Sequence, residues 1–170
     1  MRILLGITGG IAAYKAANLI RGLSELGHEV TVVPTENALR FIGKPTLESL
    51  SGHAIETDMY QDVAQVRHVE LGQQADLIVI APATASFLAR FAAGIADDLM
   101  LNAILASSAT VVACPAMHTE MWVNQATQDN VKTLEARGIR VMEPASGRLT
   151  GDDSGPGRLP ETEDIIAFAL

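Results

Sequence analysis

Arg2-Ile3-Leu4-Leu5-Gly6-Ile7-Thr8-Gly9-Gly10 is the stretch that decides the fold. A short apolar run ended by Gly and Thr reads as a buried strand, with Thr8-Gly9-Gly10 as its turn. From Ile11 to Leu26 the apolar residues Ala12, Ala16, Leu19, Leu23 and Leu26 follow helical spacing, and Gly27 supplies the stop. Glu29-Val30-Thr31-Val32-Val33 is a second strand. A strand, a helix and a strand joined by tight turns make a crossover unit, so the sheet is expected to be parallel.

The same alternation continues outward. Leu77–Ala81 is a strand, followed by a helix Phe87–Ala93. Asp97-Asp98 supply caps for a helix Leu99–Leu105. Ala109–Cys114 is a strand that Pro115 closes, since proline has no N–H for a ladder. Thr127, Val131 and Leu134 give Gln125–Arg137 one apolar face, and Ile139–Met142 is the last strand. Ala38–Ile42 and Pro45–Leu50 read as short helical pieces, and Ser51–Val66 as an irregular excursion. Residues 144–158, rich in Gly, Pro and Asp, are expected to be a long loop, either a functional lid or a linker.

The chain has 170 residues, which suits one domain. It is 48% hydrophobic and carries a net charge of −8, with no basic cluster. That argues against nucleic acid or an anionic membrane as partner, and the apolar content suggests a homo-oligomer. A single cysteine, Cys114, excludes an internal disulfide and any multi-cysteine metal site, and fits a reducing compartment such as the cytoplasm. No metal site is expected. The apolar helical pattern at Asp164–Leu170 stops without a cap, so a fragment of a longer chain is expected.

A glycine turn leading into a helix attracts anions, because free N–H groups point there. The spacing here is Gly6-x-x-Gly9-Gly10, not that of dinucleotide sites, and the second strand runs into Pro34-Thr35-Glu36-Asn37. Thr8, Thr35 and Asn37 offer short donors that suit one phosphate, as in a flavin mononucleotide; an ordinary tight turn is the alternative. Pro82-Ala83-Thr84-Ala85-Ser86 ends its strand in small residues that admit a flat ligand, although Thr84 and Ser86 equally serve as N-caps. Pro115-Ala116-Met117-His118-Thr119-Glu120-Met121-Trp122 carries polar and aromatic groups at a strand end, where open α/β sheets bind ligands. It reads equally as a loop in which Met117, Met121 and Trp122 pack.

Five stretches, taken in order, resemble one family. They are Thr8–Lys15, His68-Val69-Glu70-Leu71, Ala81-Pro82-Ala83-Thr84-Ala85, Pro115–Trp122 and Gly151-Asp152-x-x-Gly155-x-Gly157-Arg158. The pattern is similar to the FMN-dependent cysteine decarboxylases, nearest to the phosphopantothenoylcysteine decarboxylase half of a bifunctional bacterial flavoprotein of coenzyme A synthesis. The resemblance implies a Rossmann-like, flavodoxin-like doubly wound parallel sheet with helices on both faces. It implies FMN as cofactor, held by Gly9, Gly10, Ile11, Thr35, Asn37, Thr84, Ala85, Ser86, Phe87 and Ala116. His68 would be the base. Met117 and His118 would hold the substrate carboxylate, and Gly151 and Arg158 would belong to a lid over phosphopantothenoylcysteine, with Arg158 near its phosphate or at the anchor of the lid.

The implied reaction is oxidation to a thioaldehyde, loss of CO2 and reduction by the flavin to phosphopantetheine. The implied assembly is a trimer, or a dodecamer of trimers, with sites between subunits. A synthetase domain after Leu170 is also implied. Two positions depart from the family pattern. His118 stands where Asn is usual, and Thr150 stands where the lid carries a proton-donating Cys. A Thr hydroxyl is a far poorer acid than a thiol, so Asp152, Asp153, His118 or a water would have to donate, or the reaction would end at an enethiol. A peptidyl-cysteine decarboxylase, a flavin prenyltransferase and a non-catalytic flavin-binding module are the alternative readings.

Overall fold

The computed structural model describes residues 1–55, 57–58, 66–149 and 154–170. Five parallel strands form the central sheet: β1 (Arg2–Ile7), β2 (Glu29–Pro34), β3 (Leu77–Ala83), β4 (Thr110–Pro115) and β5 (Arg140–Val141). Their order is β2-β1-β3-β4-β5, the flavodoxin-like arrangement that the resemblance implies. Register is continuous across the centre, with Leu5 opposite both Val32 and Val79.

Strand periodicity sorts the apolar runs into two cores. Ile3, Leu5, Ile7, Val79, Ala81, Val112 and Cys114 face one side; Leu4, Ile78, Ile80, Val111 and Ala113 face the other. The helices among the described residues are α1 (Ala16–Glu25), α2 (Lys44–Ser51), α3 (Arg67–Gln74), α4 (Ala85–Ala93), α5 (Leu99–Leu105), α6 (Thr119–Trp122), α7 (Gln125–Ala136) and α8 (Thr162–Ala169). Leu19, Leu23, Leu47 and Ile165 bring α1, α2 and α8 to the first face. Phe87, Phe91, Met100, Ile104 and Leu134 bring α4, α5 and α7 to the second. A near-continuous apolar run buried on both faces is what a parallel sheet covered by helices requires. No helix among the described residues is long and apolar enough to cross a membrane.

The structure differs from expectation in three places. The first helix opens as a 3-10 turn, Ile11–Lys15, before α1 begins. In a 3-10 turn residues i and i+3 eclipse, so Ile11 and Tyr14 stand on one side, each 60% exposed, while Ala13 is buried. Second, α3 was not expected. Its only buried residue is Gly72, which leaves no apolar stripe to read. A side chain at Gly72 would lie 2.3 Å from the Ala103 carbonyl oxygen, so the glycine lets α3 dock directly on α5. Third, the described residues within 144–158 are not an irregular loop. They hold an antiparallel ribbon of β6 (Ala145–Arg148) and β7 (Ser154–Arg158). Trp122 is a core residue, in line with the packing reading of its stretch. Half of the expected excursion at Ser51–Val66 lies outside the described residues.

Candidate active site

The strand order reverses at β1, so the chain leaves the carboxyl ends of β1 and β3 in opposite directions and opens a crevice between them. Thr8 ties the two ends together. Its Oγ1 donates to the Pro82 carbonyl at 2.7 Å and accepts from the Thr84 N–H at 2.9 Å. Thr8 is 2% exposed, so its hydroxyl is a strut of the crevice and is not the phosphate donor that its position in the turn suggests. Gly9 sits against the loop after β2, where a Cβ would come within 2.5 Å of the Asn37 Cβ.

A cavity of about 650 Å³ opens at this switch point, within the range of small-ligand sites. Gly10, Ile11, Thr84, Ala85 and Ala116 line it together with Met117, His118 and Arg158. Eight of the expected site residues, from four separate stretches, are thereby brought to one hollow. Thr84 also caps α4, its Oγ1 accepting from the Phe87 N–H at 3.3 Å. Thr84 is thus an N-cap that also lines the cavity. The Pro115–Trp122 stretch divides: Met117, His118 and Met121 face the cavity, and Trp122 packs beneath them.

Glycine explains how the ribbon meets this stretch. The Met117 N–H donates to the Gly157 carbonyl at 2.9 Å, and Thr119 Oγ1 donates to the Pro156 carbonyl at 2.8 Å. Gly157 has φ +145°, and a Cβ there would lie 2.2 Å from the Met117 carbonyl oxygen. The Gly155-x-Gly157-Arg158 motif is thus a docking strip that sets β7 flush on the cavity floor and presents Arg158 to it.

The charge of the wall contrasts with the chain as a whole. The described lining holds Lys15, Arg148, Arg158 and His118 and no Asp or Glu, in a chain of net charge −8. Lys15 Nζ donates to the Leu159 carbonyl at 3.2 Å and to Glu161 Oε1 at 3.0 Å. Arg158 Nη2 reaches the same Glu161 oxygen at 3.3 Å. The hydrogen bond from Lys15, with the charges of Lys15 and Arg158, holds the Glu161 carboxyl below its ordinary value of 4.5.

Thr35, Asn37 and Ser86 line a second, adjacent cavity of about 530 Å³. Arg90 stands there, bonded to Asp97 at 2.5 Å and Asp98 at 2.9 Å. Asp98 Oδ1 also accepts from the Leu101 N–H, so Asp98 starts a helix, as read from the sequence, while Asp97 pairs with Arg90. Gly9, against Asn37, stands where the loops of the two cavities meet.

Four expected site residues are placed elsewhere or not described. Phe87 is fully buried in the second core, and its N–H is already held by Thr84, so its side chain cannot touch a ligand. His68 is on α3 and lines neither cavity of this protomer. Thr150 and Gly151 lie outside the described residues, as do Asp152 and Asp153. Sequence reasoning missed Tyr14, Lys15 and Met121 in the wall, whereas Arg148, one of two arginines amid glycines that suit an anion-gripping lid, lines it. For Tyr14 the signal was its i+3 relation to Ile11. For Lys15 it was a lone cation one turn after the glycines.

A family model described as Flavoprotein matches residues 1–170. The chain is 60% identical over 168 residues to the coenzyme A biosynthesis bifunctional protein CoaBC of Mycolicibacterium smegmatis, covering 99% of this chain and 41% of the relative. It is 45% identical over 169 residues to CoaBC of Vibrio vulnificus, covering 98% and 42%. The chain thus spans about two fifths of the length of these curated relatives. Among solved structures, a PPC decarboxylase mutant complexed with pantothenoylaminoethenethiol matches with a TM-score of 0.89 at 33% identity, covering 98% of this chain and 94% of that one. The FMN-dependent cysteine decarboxylase SpaF matches with a TM-score of 0.83 at 33% identity, covering 100% and 98%.

Proposed function

The chain belongs to the Flavoprotein family, and from that premise we propose that it is an FMN-dependent decarboxylase of phosphopantothenoylcysteine in coenzyme A biosynthesis. The observation that carries this reading is the single cavity that joins the glycine turn, the small-residue end of β3 and the Met117-His118 stretch. The relatives named CoaBC and the PPC decarboxylase structure support it.

The residues present fit a flavin mononucleotide. Gly10, Thr84, Ala85 and Ala116 leave the crevice floor without bulk, and Ile11 and Met117 offer apolar contact to a flat ring. When bound, FMN supplies the electron acceptor without which the cysteine carboxylate has no path to leave as CO2. This chain's own part is to position and protonate. The imidazole of His118, at the N-terminus of α6, donates to the substrate carboxylate. The docked ribbon covers that carboxylate and limits water. His68 is the base, and because it lines neither cavity of its own protomer, it acts on the cavity of a neighbouring copy. Ile11, Tyr14 and Met121, exposed at the cavity, are the surface that such a copy covers in a homotrimer. The buried lone cysteine supports a reducing, cytoplasmic setting.

The test is a mass spectrum of phosphopantothenoylcysteine after incubation with the purified, flavin-loaded protein. Loss of CO2 alone establishes phosphopantetheine as product. Loss of CO2 and two hydrogens assigns an enethiol product, the second reading, favoured by Thr150 in place of the lid Cys. Unchanged substrate with flavin bound overturns the proposal.

A further inference from the structure

We propose that Lys15 and Arg158 form the seat of a phosphate monoester, the anionic end of the substrate, and that Glu161 is the internal anion which holds the two cations in place until it arrives. This rests on the decarboxylase reading above, and it names the part of the cavity that would select a phosphorylated over an unphosphorylated substrate.

Three observations converge. The first is charge. Twenty acids outnumber twelve Lys and Arg in this chain, yet the described wall of the large cavity contains three of those cations and no acid. The adjacent cavity is the reverse, with Glu36, Asp58, Asp97 and Asp98 in its wall against Arg90. An anionic group therefore finds its favourable potential in the first cavity.

The second is geometry. Lys15 Nζ and Arg158 Nη2 point at one atom, Glu161 Oε1, from 3.0 Å and 3.3 Å. Two cationic donors aimed at a common oxygen are the arrangement a phosphate needs.

The third is the difference in how firmly the partners are held. The Lys15 side chain is 17% exposed and is anchored by the Leu159 carbonyl, so its ammonium is fixed before any ligand comes. Glu161 is 60% exposed and can swing into water. A phosphate monoester carries nearly two charges at neutral pH, one more than the carboxylate, and displaces it.

The same contacts serve a plainer role if they only tether the exit of β7 to the 3-10 turn. The two roles separate by measurement. The FMN-loaded chain is assayed with phosphopantothenoylcysteine and with pantothenoylcysteine, and the ratio of their kcat/KM values is compared among wild type, Lys15→Met, Lys15→Arg and Glu161→Gln. Lys15→Met is expected to lower the preference for the phosphorylated substrate by about tenfold or more, the scale of one lost charge-assisted bond, and Lys15→Arg to restore most of it. In Glu161→Gln, inorganic phosphate is expected to compete more tightly. An equal loss on both substrates makes the pair a tether and overturns the proposal.

The flavin also carries a phosphate, so FMN and riboflavin affinities are measured on the same variants. A Lys15 effect confined to FMN assigns the pair to the flavin and likewise overturns it. If wild type turns over neither substrate, calorimetry with phosphopantothenate and pantothenate decides. A Lys15-dependent preference for the phosphorylated compound keeps the seat while the decarboxylase reading falls, and no preference removes the seat as well.

Discussion

Replacing Gly157 by Ala tests how the ribbon is held to the site. If β7 stayed in place, the new Cβ would sit 2.2 Å from the Met117 carbonyl oxygen at a backbone φ of +145°. That conformation costs a residue with a Cβ about 1–3 kcal/mol, and the overlap adds about as much again, as for an overpacked core. If β7 lifted away instead, it would forfeit the Met117–Gly157 and Thr119–Pro156 bonds, about 1 kcal/mol each. Lifting is the cheaper outcome, so the docking equilibrium should shift by roughly 2 kcal/mol, about thirtyfold. The five-stranded sheet does not use β7, so the melting temperature should fall by less than about 4 °C. Amide hydrogen exchange should show the Met117 N–H losing protection, and KM should rise while flavin stays bound. Wild-type protection at Met117 together with wild-type KM would refute the docking argument. A collapse in melting temperature would show instead that the ribbon belongs to the cooperative core.

Thr119→Val removes the hydroxyl bonded to the Pro156 carbonyl, and should raise KM several-fold, about 1 kcal/mol, whereas Thr119→Ser should not; steady-state kinetics on both variants checks this. Burial pushes the Cys114 thiol up to about 12, so iodoacetamide at pH 8 should leave it unmodified in the folded protein and alkylate it only after unfolding, as read by mass spectrometry. Glu161, depressed by the bond from Lys15, contributes stability that is present above its ordinary value of 4.5 and lost as pH falls through its lower folded value. The contact between residue 161 and Lys15, followed by NMR, should therefore persist at pH 6 and open in acid, and in Glu161→Gln should show no such titration. His68→Asn mixed with His118→Ala should recover activity that neither variant shows alone, if His68 serves a neighbouring copy; absence of recovery in verified mixed oligomers would place both residues in one protomer's site.

The sheet was legible in the sequence because strands buried on both faces must be apolar throughout, and Leu77–Ala81 and Ala109–Cys114 are. The Gly9-Gly10 turn between strand and helix was legible as well, but its partners were not. Thr8 looked like a phosphate donor until the Pro82 carbonyl appeared beside it. That contact spans 74 residues, and no local pattern announces it. Phe87 followed the hydroxyl-bearing Thr84 to Ser86 run and was read with it. One residue further along a helix turns the side chain by about 100°, and that rotation takes Phe87 into the core.

The elements that escaped notice share a physical cause. α3 and the ribbon both attach to the protein through glycine. Gly72 meets the Ala103 carbonyl directly, and Gly157 meets the Met117 carbonyl directly. A glycine contact buries backbone against backbone and contributes no apolar side chain, so hydrophobic periodicity is silent where these segments dock. Their sequences instead read as polar or turn-like, as Arg67–Gln74 and Ser154–Arg158 do. The same contacts gather the functional groups. Gly72 seats the helix that carries His68, Gly155 and Gly157 seat the strand that delivers Arg158, and Gly9 brings the first turn onto the Asn37 loop. Adding one methyl at any of these glycines should disturb the site before it disturbs the core. The close approaches that were hardest to read are therefore the ones that position the residues of the proposed site.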